Sequence, residues 1–222
     1  MGSTAVALLI CGAYLLFSSD VSVDSYHAIQ LSHALPDGSQ VVLNSDSRLT
    51  YDDDFIQERR LNLDGEAFFE IEKGESFTVS THEGEVTVLG TSFNVLAREG
   101  LLVVSCRTGK VSVSSESQSK TITQGERIRF RNGIPQRIEQ INPLKIDSWT
   151  SGESYFEKVP LREVIAALSH KYDRSIDLPN VHQDRLYTGS FMHSDIEKAL
   201  KTVLDPMGIK YTLDENEAVK ID

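Results

Sequence analysis

Two stretches decide the fold. The first is Leu63-Asp64-Gly65-Glu66-Ala67-Phe68-Phe69-Glu70-Ile71, and the second is Val86-Thr87-Val88-Leu89-Gly90-Thr91-Ser92-Phe93-Asn94-Val95. Both are rich in the β-branched and aromatic residues that suit a pleated, half-buried surface, and each carries a glycine where a strand bulges or bends. Val86 and Val88 point one way and Thr87 the other, a period of two. The two stretches predict the hairpin centre of an all-β domain with further strands on either side.

Working outward, the chain from His27 to about Asn142 reads as strand after strand, with candidates at 27–34, 39–44, 47–51, 59–64, 66–72, 76–81, 85–90, 92–97, 101–107, 110–115, 119–123 and 127–131. Glycine-bearing turns separate them, among them Asp37-Gly38, Glu83-Gly84 and Asn132-Gly133. Short strands at regular spacing predict a sandwich, barrel or β-roll. Residues 20–26 read as a short polar linker, and residues 134–152, with Pro135, Pro143 and the single tryptophan Trp149, read as a connector. Trp149 is expected to pack at a domain junction, with ligand stacking as the other reading.

From Ser154 the texture changes. Leu161, Val164, Ile165, Leu168 and Tyr172 mark one helical face, opened by Pro160. A shift of 35 residues carries Phe156 onto Phe191, Leu161 onto Ile196, Ile165 onto Leu200 and Ile176 onto Tyr211. This predicts a βαβ unit repeated once, with the two helices sharing one small sheet and the second helix opened by a capping box at Ser194 and Glu197. Strands 186–191 and 218–222 are expected either at its open edges, where a partner strand could add, or covered by the neighbouring domain; the first reading makes Leu186, Tyr187, Gly189 and Phe191 candidate partner-binding residues. A turn is expected at Glu215-Asn216.

At the other end, Ala5 to Phe17 is apolar. A bilayer needs about 20 apolar helical residues, which Met1 to Ser19 just supplies. A signal peptide or a buried segment are the other readings. The fold expected is therefore mainly β (sandwich, barrel or β-roll) followed by a small α/β module of two βαβ units, with one N-terminal membrane helix. Its parts are a span at 1–19, an all-β domain at 20–142, a connector at 143–153 and the repeat module at 154–222.

Composition narrows function. With 40% hydrophobic and 25% charged residues the 222-residue chain can bury a core. A formal charge of −11 without a Lys/Arg run argues against nucleic acid. Cys11 and Cys106 lie in different contexts, so neither a disulfide scaffold nor a cysteine zinc cluster is expected. None of the six histidines has metal-ligand spacing. No nucleotide or hydrolase motif occurs, so no cofactor and no turnover chemistry are expected. One site carries potential chemistry: at Gly90-Thr91 the threonine hydroxyl could attack the preceding carbonyl, a single self-cleavage event, or the glycine could serve as a kink. An envelope carbohydrate-binding β protein, with a groove lined by exposed aromatics, is the alternative from another class.

The two opening stretches, with Leu35-Pro36-Asp37-Gly38-Ser39 and Val41-Val42-Leu43-Asn44 before them and Trp149, Phe156 and Pro160-Leu161 after them, resemble the FecR family of periplasmic sensors. The last module resembles the short secretin/TonB-type signalling fold. The resemblance implies a single-pass inner-membrane protein with its bulk in the periplasm. It implies that the signalling domain of an outer-membrane TonB-dependent transporter is the partner, and that signalling ends on a sigma factor. Some members cleave themselves at a Gly–Thr bond. Members carry a cytoplasmic sigma-binding segment before the span, and almost nothing precedes Ala5 here. A truncated start, a late-assigned start and loss of the segment are the three readings, and each leaves sigma-factor binding to a segment absent from this sequence.

Overall fold

A computed structural model describes residues 20–26, 28–115, 118–213 and 219–221. The expected span at 1–19, Cys11 and the expected turn at Glu215-Asn216 lie outside them. Among the described residues no helix is long and apolar enough to cross a membrane.

The first unit is a run of strands: β1 (Val21–Ser25), β2 (Leu31–Ala34), β3 (Gln40–Leu43), β4 (Ser47–Tyr51), β5 (Arg60–Glu70), β6 (Phe77–Ser80), β7 (Glu85–Val88), β8 (Ser92–Arg98), β9 (Leu101–Thr108), β10 (Lys110–Ser115), β11 (Gln118–Thr123), β12 (Glu126–Arg131), β13 (Ile134–Pro135) and β14 (Glu139–Gln140). One helical turn, α1 (Phe55–Glu58), interrupts them. Three expectations need correction. Residues 20–26 are not a linker, because Val21 and Val23 alternate with polar residues, and β1 pairs with β4 from Val21↔Tyr51 to Ser25↔Ser47. The connector begins later than residue 134, because β13 and β14 both pair with β12. The strands expected at 59–64 and 66–72 are one strand.

That strand, β5, organises the unit. Its first half pairs with β4 (Leu49↔Leu63) and, in parallel, with β6 (Leu61↔Val79). Its second half pairs with β3 (Val41↔Phe69) and β8 (Phe69↔Phe93). The change of partners falls at Gly65, at φ +109°, where a Cβ would lie 2.4 Å from Ser47 Oγ and 2.7 Å from Ser47 Cα. Only glycine gives both the left-handed backbone and the close approach. The bend folds the sheet into a nearly closed, barrel-like layer pair around one core. The two opening stretches of sequence meet inside it, with the rings of Phe69 and Phe93 stacked at 5.1 Å.

The second unit contains β15 (Glu153–Pro160), α2 (Leu161–Tyr172), β16 (Ile176–Asp177), α3 (Asn180–Gln183), β17 (Leu186–Met192), α4 (Ile196–Leu204), β18 (Tyr211–Leu213) and β19 (Val219–Ile221). Helix α4, with the 3-10 turn Asp205–Met207 that follows it, occupies the span of α2 shifted by 35 residues. Both helices bury the predicted face, Leu161, Val164 and Leu168 on one and Ala199, Leu200 and Val203 on the other. The repeats do not share one sheet. Their first strands pair with each other, antiparallel, with Tyr155 opposite Ser190. Their second strands are held apart by β19, which runs parallel to β16 and antiparallel to β18. Residues 218–222 are therefore not an edge but contain the centre of a three-stranded sheet. The cap of α4 is also one residue later than expected: Asp195, not Ser194, accepts from the Lys198 amide at 3.0 Å.

Candidate functional site

The alternation that fills the core also builds the opposite face of the sheet. Glu66 and Phe68 on β5, Asn94 on β8, and Arg127, Arg129 and Arg131 on β12 all point away from the core. Strand β15 and helix α2 of the second unit lie over this face, so the seam between the units is lined by strand positions of one parity.

Three guanidiniums at period two make its charged side. Arg127 donates to Glu139 through Nε (2.8 Å) and Nη2 (2.6 Å), and Nη2 also reaches the Glu157 carbonyl at 3.0 Å. Arg129, 5% exposed, reaches Glu139 at 2.5 Å and Glu163 of α2 at 3.4 Å. Arg131 meets the other Glu163 oxygen at 3.1 Å. Burial pushes the Glu139 carboxyl up, but Arg127 and Arg129 outweigh it and hold it below the usual range. Burial and the neighbouring Arg129 charge lower Arg127. The Arg129–Glu163 pair, with side chains 6% and 10% exposed, is costly to break from one side, because the remaining charge is left without a partner.

The uncharged side centres on Trp149. Its ring packs on Phe68 and Ile146. Its Nε1–H donates to Asn94 Oδ1 at 3.0 Å. The Asn94 amide in turn donates to Glu66 at 2.8 Å, and Asn44 donates to the other Glu66 oxygen at 2.7 Å. One chain of hydrogen bonds thus links the two opening stretches to the connector. The Trp149 carbonyl accepts from Gln30 at 2.7 Å, and Lys171 of α2 donates to the Ala28 carbonyl at 2.9 Å, so the segment just after β1 is tied to both connector and helix. His170 of α2 meets Asp46 at 3.1 Å.

The seam is not filled. A hollow of about 140 Å³ runs beneath Trp149, bordered by Asn94, Arg127, Ser154, Lys171 and His193. Within it, Ser154 Oγ and His193 Nε2 are 2.9 Å apart. Burial, with the Lys171 charge nearby, pushes His193 down to about 4. The hydroxyl of Ser148 in the same wall has no partner.

Of the residues singled out from sequence, Trp149 lies in this seam. Gly90 and Thr91 border neither of the hollows at the seam. Gly90 bends the chain at φ +140°, where a Cβ would lie 2.8 Å from Lys73 Cα. Thr91 is buried and its hydroxyl donates to the Lys110 carbonyl at 3.2 Å. On β17, Tyr187 and Phe191 are core residues at 5% and 2% exposure, Gly189 packs under the Tyr187 ring, and Leu186 is exposed at 62%. The side chains of Tyr187 and Phe191 therefore belong to the core of the second unit, and among the described residues β17 pairs with β15 alone. Sequence reasoning missed Glu66, Asn94 and the arginine stripe. The signal was present as polar residues at outward positions of strongly apolar strands, and as Arg-Ile-Arg-Phe-Arg at 127–131. Among the described residues no group of His, Cys, Asp and Glu could hold a metal ion.

Comparison with known proteins returns one family match in each of the two units. The family described as FecR protein matches residues 22–112, and that described as FecR, C-terminal matches residues 153–221. Two crystal structures of a candidate anti-sigma factor from Parabacteroides distasonis ATCC 8503 are similar, each with a TM-score of 0.83 and 31% identity over 91% of this chain and 98% of theirs. No curated protein matches the chain.

Proposed function

The chain belongs to the FecR family, and from that premise we propose that it is the sensing part of a sigma-regulating relay. In this reading residues 1–19 anchor the chain in the inner membrane, and both folded units face the periplasm. The second unit receives the signal from the signalling domain of a TonB-dependent outer-membrane transporter. Docking of the second unit on the β-rich unit is the state that the partner alters, and sigma-factor control follows from that change.

The seam carries the reading. It is a polar, incompletely filled contact with its own hydrogen-bond chain through Trp149, Asn94 and Glu66. A contact built to stay shut would be drier and more apolar, as obligate interfaces are. Allosteric relay needs two arrangements that a ligand can bias, and in this reading the seam is where the two differ. The test is calorimetric titration of the full chain, in detergent, with isolated transporter signalling domains. Saturable binding that weakens or strengthens in Trp149→Ala supports the relay. Binding by none of the domains, or signalling and docking left intact in Trp149→Ala, would sink it.

Gly90-Thr91 we assign to the backbone kink rather than to self-cleavage. The bend aims Phe93 and Val95 into the core, and the Thr91 hydroxyl is engaged with the Lys110 carbonyl at the start of β10. The intact-mass spectrum of denatured protein should show one species. Two fragments meeting at Gly90/Thr91 would reverse the assignment and make Thr91 the nucleophile.

A further inference from the structure

A second hollow, of about 180 Å³, lies where α2 crosses the outer face of the β-rich unit. It adjoins the first and shares Glu66 and Lys171 with it. Its walls set the cations Arg98, Arg131, Arg162 and Lys171 against the carboxylates Glu66, Glu99 and Glu163. Ser45, 2% exposed, has a hydroxyl with no partner, and the buried Nε–H of Arg162 has none either, while the Nη1 of the same guanidinium pairs with Asp184 outside the hollow. Lys171 makes one hydrogen bond, to the Ala28 carbonyl, and Arg98 spends Nη2 on the Ser45 and Asp46 carbonyls and the Ser47 hydroxyl. Neither cation forms an ion pair with a described carboxylate. Burial holds both below their ordinary range.

Two of the three carboxylates in the same walls are already engaged. Glu66 takes the two asparagine amides, Glu163 takes Arg129 and Arg131, and Glu99 stands exposed at the rim. A buried donor without an acceptor costs about 1–3 kcal/mol, more for a charged group. Water would relieve this only partly, since each water brings donors of its own. An oxyanion brings acceptors alone, and its hydrogen bonds to Lys and Arg are the stronger, charge-assisted kind.

We propose that this hollow is a binding site for a small oxyanion, a carboxylate or a phosphate, held by Lys171 and Arg162 of the second unit and by Arg98 and Ser45 of the first. Because the donors come from both units, an occupant bridges them and favours the docked arrangement. The site rests on its donor set and not on the relay described above, so it can fail or stand independently of transporter binding.

The experiment is a titration of the full chain with inorganic phosphate and, separately, with succinate, at ionic strength held constant with sodium chloride. Melting temperature and calorimetric heat are the readouts. The expected result is a saturable rise in Tm for one of the two probes, which identifies the class of anion. In Lys171→Gln the affinity should fall by about tenfold or more, while Lys210→Gln, outside the hollow, keeps it. If Lys171→Gln loses its circular dichroism spectrum, Arg162→Gln takes its place with the same expectation. No saturable rise beyond chloride with either probe means that the hollow holds water only, and overturns the proposal. An equal rise in the hollow variants and the native chain overturns it too.

Discussion

Trp149 does two separable things, and substitution can part them. Its ring fills the space against Phe68 and Ile146, and its Nε1–H completes the chain to Asn94 and Glu66. Trp149→Phe keeps most of the apolar contact and leaves Asn94 Oδ1 without that donor, a loss of about 1–3 kcal/mol. Trp149→Ala also empties the site and should cost about 3–5 kcal/mol. Denaturant unfolding should therefore rank native, Phe and Ala in that order. If Phe behaved as native, the hydrogen bond would contribute nothing to the seam. A second residue-scale test lies in the Asp37-Gly38 turn. Asp37 accepts from Arg59 Nε at 2.9 Å and Nη2 at 2.7 Å, with both side chains 10% exposed. Arg59 also donates to the carbonyls of Glu72 and Glu75, so it ties three loops together. Asp37→Ala strands a buried guanidinium, and a fall of about 3–5 kcal/mol is expected from the same measurement. A fall under about 1 kcal/mol would place the pair with solvent-screened ones.

Among the elements, β5 is the one whose failure would remove the fold. Its change of partners depends on Gly65, whose missing Cβ admits Ser47. In Gly65→Ala the new carbon must displace backbone as well as a hydroxyl, and the left-handed φ adds strain. A loss of at least about 2 kcal/mol is expected in urea unfolding, and a near-native midpoint would show that β5 can bend without glycine. This position also shows what was legible. The apolar alternation of Leu61, Leu63, Ala67 and Phe69 announces a strand, and the glycine announces a break in regularity. Whether a glycine ends a strand or bends it depends on which strands lie alongside, and those come from as far away as β3 and β8. The same holds for the second unit. The 35-residue repeat is local information and was readable in the helix faces. The insertion of β19 between β16 and β18 is a pairing choice made after the repeat ends, so a single shared sheet was the wrong inference. The seam was the least legible part. Glu66, Asn94 and Trp149 sit on three segments far apart in sequence, and only the fold brings their polar atoms into line.

For the molecule as a whole, the seam predicts a response to acid. His193 follows β17, its Nε2 faces Ser154 of β15, and the Lys171 charge of α2 is nearby, so protonation would set two cations close together beneath the β-rich unit. Burial and Lys171 lower its pKa from 6.5 to about 4. A histidine kept neutral by folding contributes stability that is fully present above its unfolded value and is lost as pH falls from 6.5 toward 4. Glu139, held below its ordinary 4.5 by Arg127 and Arg129, keeps its contribution until pH falls past that value, so the two windows barely overlap. Between pH 7 and pH 4.8 the native chain should therefore lose on the order of 1 kcal/mol through His193, allowing for solvent screening at a half-buried site. His193→Asn should lose less over the same interval, although it starts lower at pH 7 because the Ser154 bond is altered. Urea midpoints of both chains at the two pH values decide it. Parallel falls would assign the acid sensitivity to other groups, whereas a flatter line for His193→Asn would make the seam the place where acidity loosens one unit from the other.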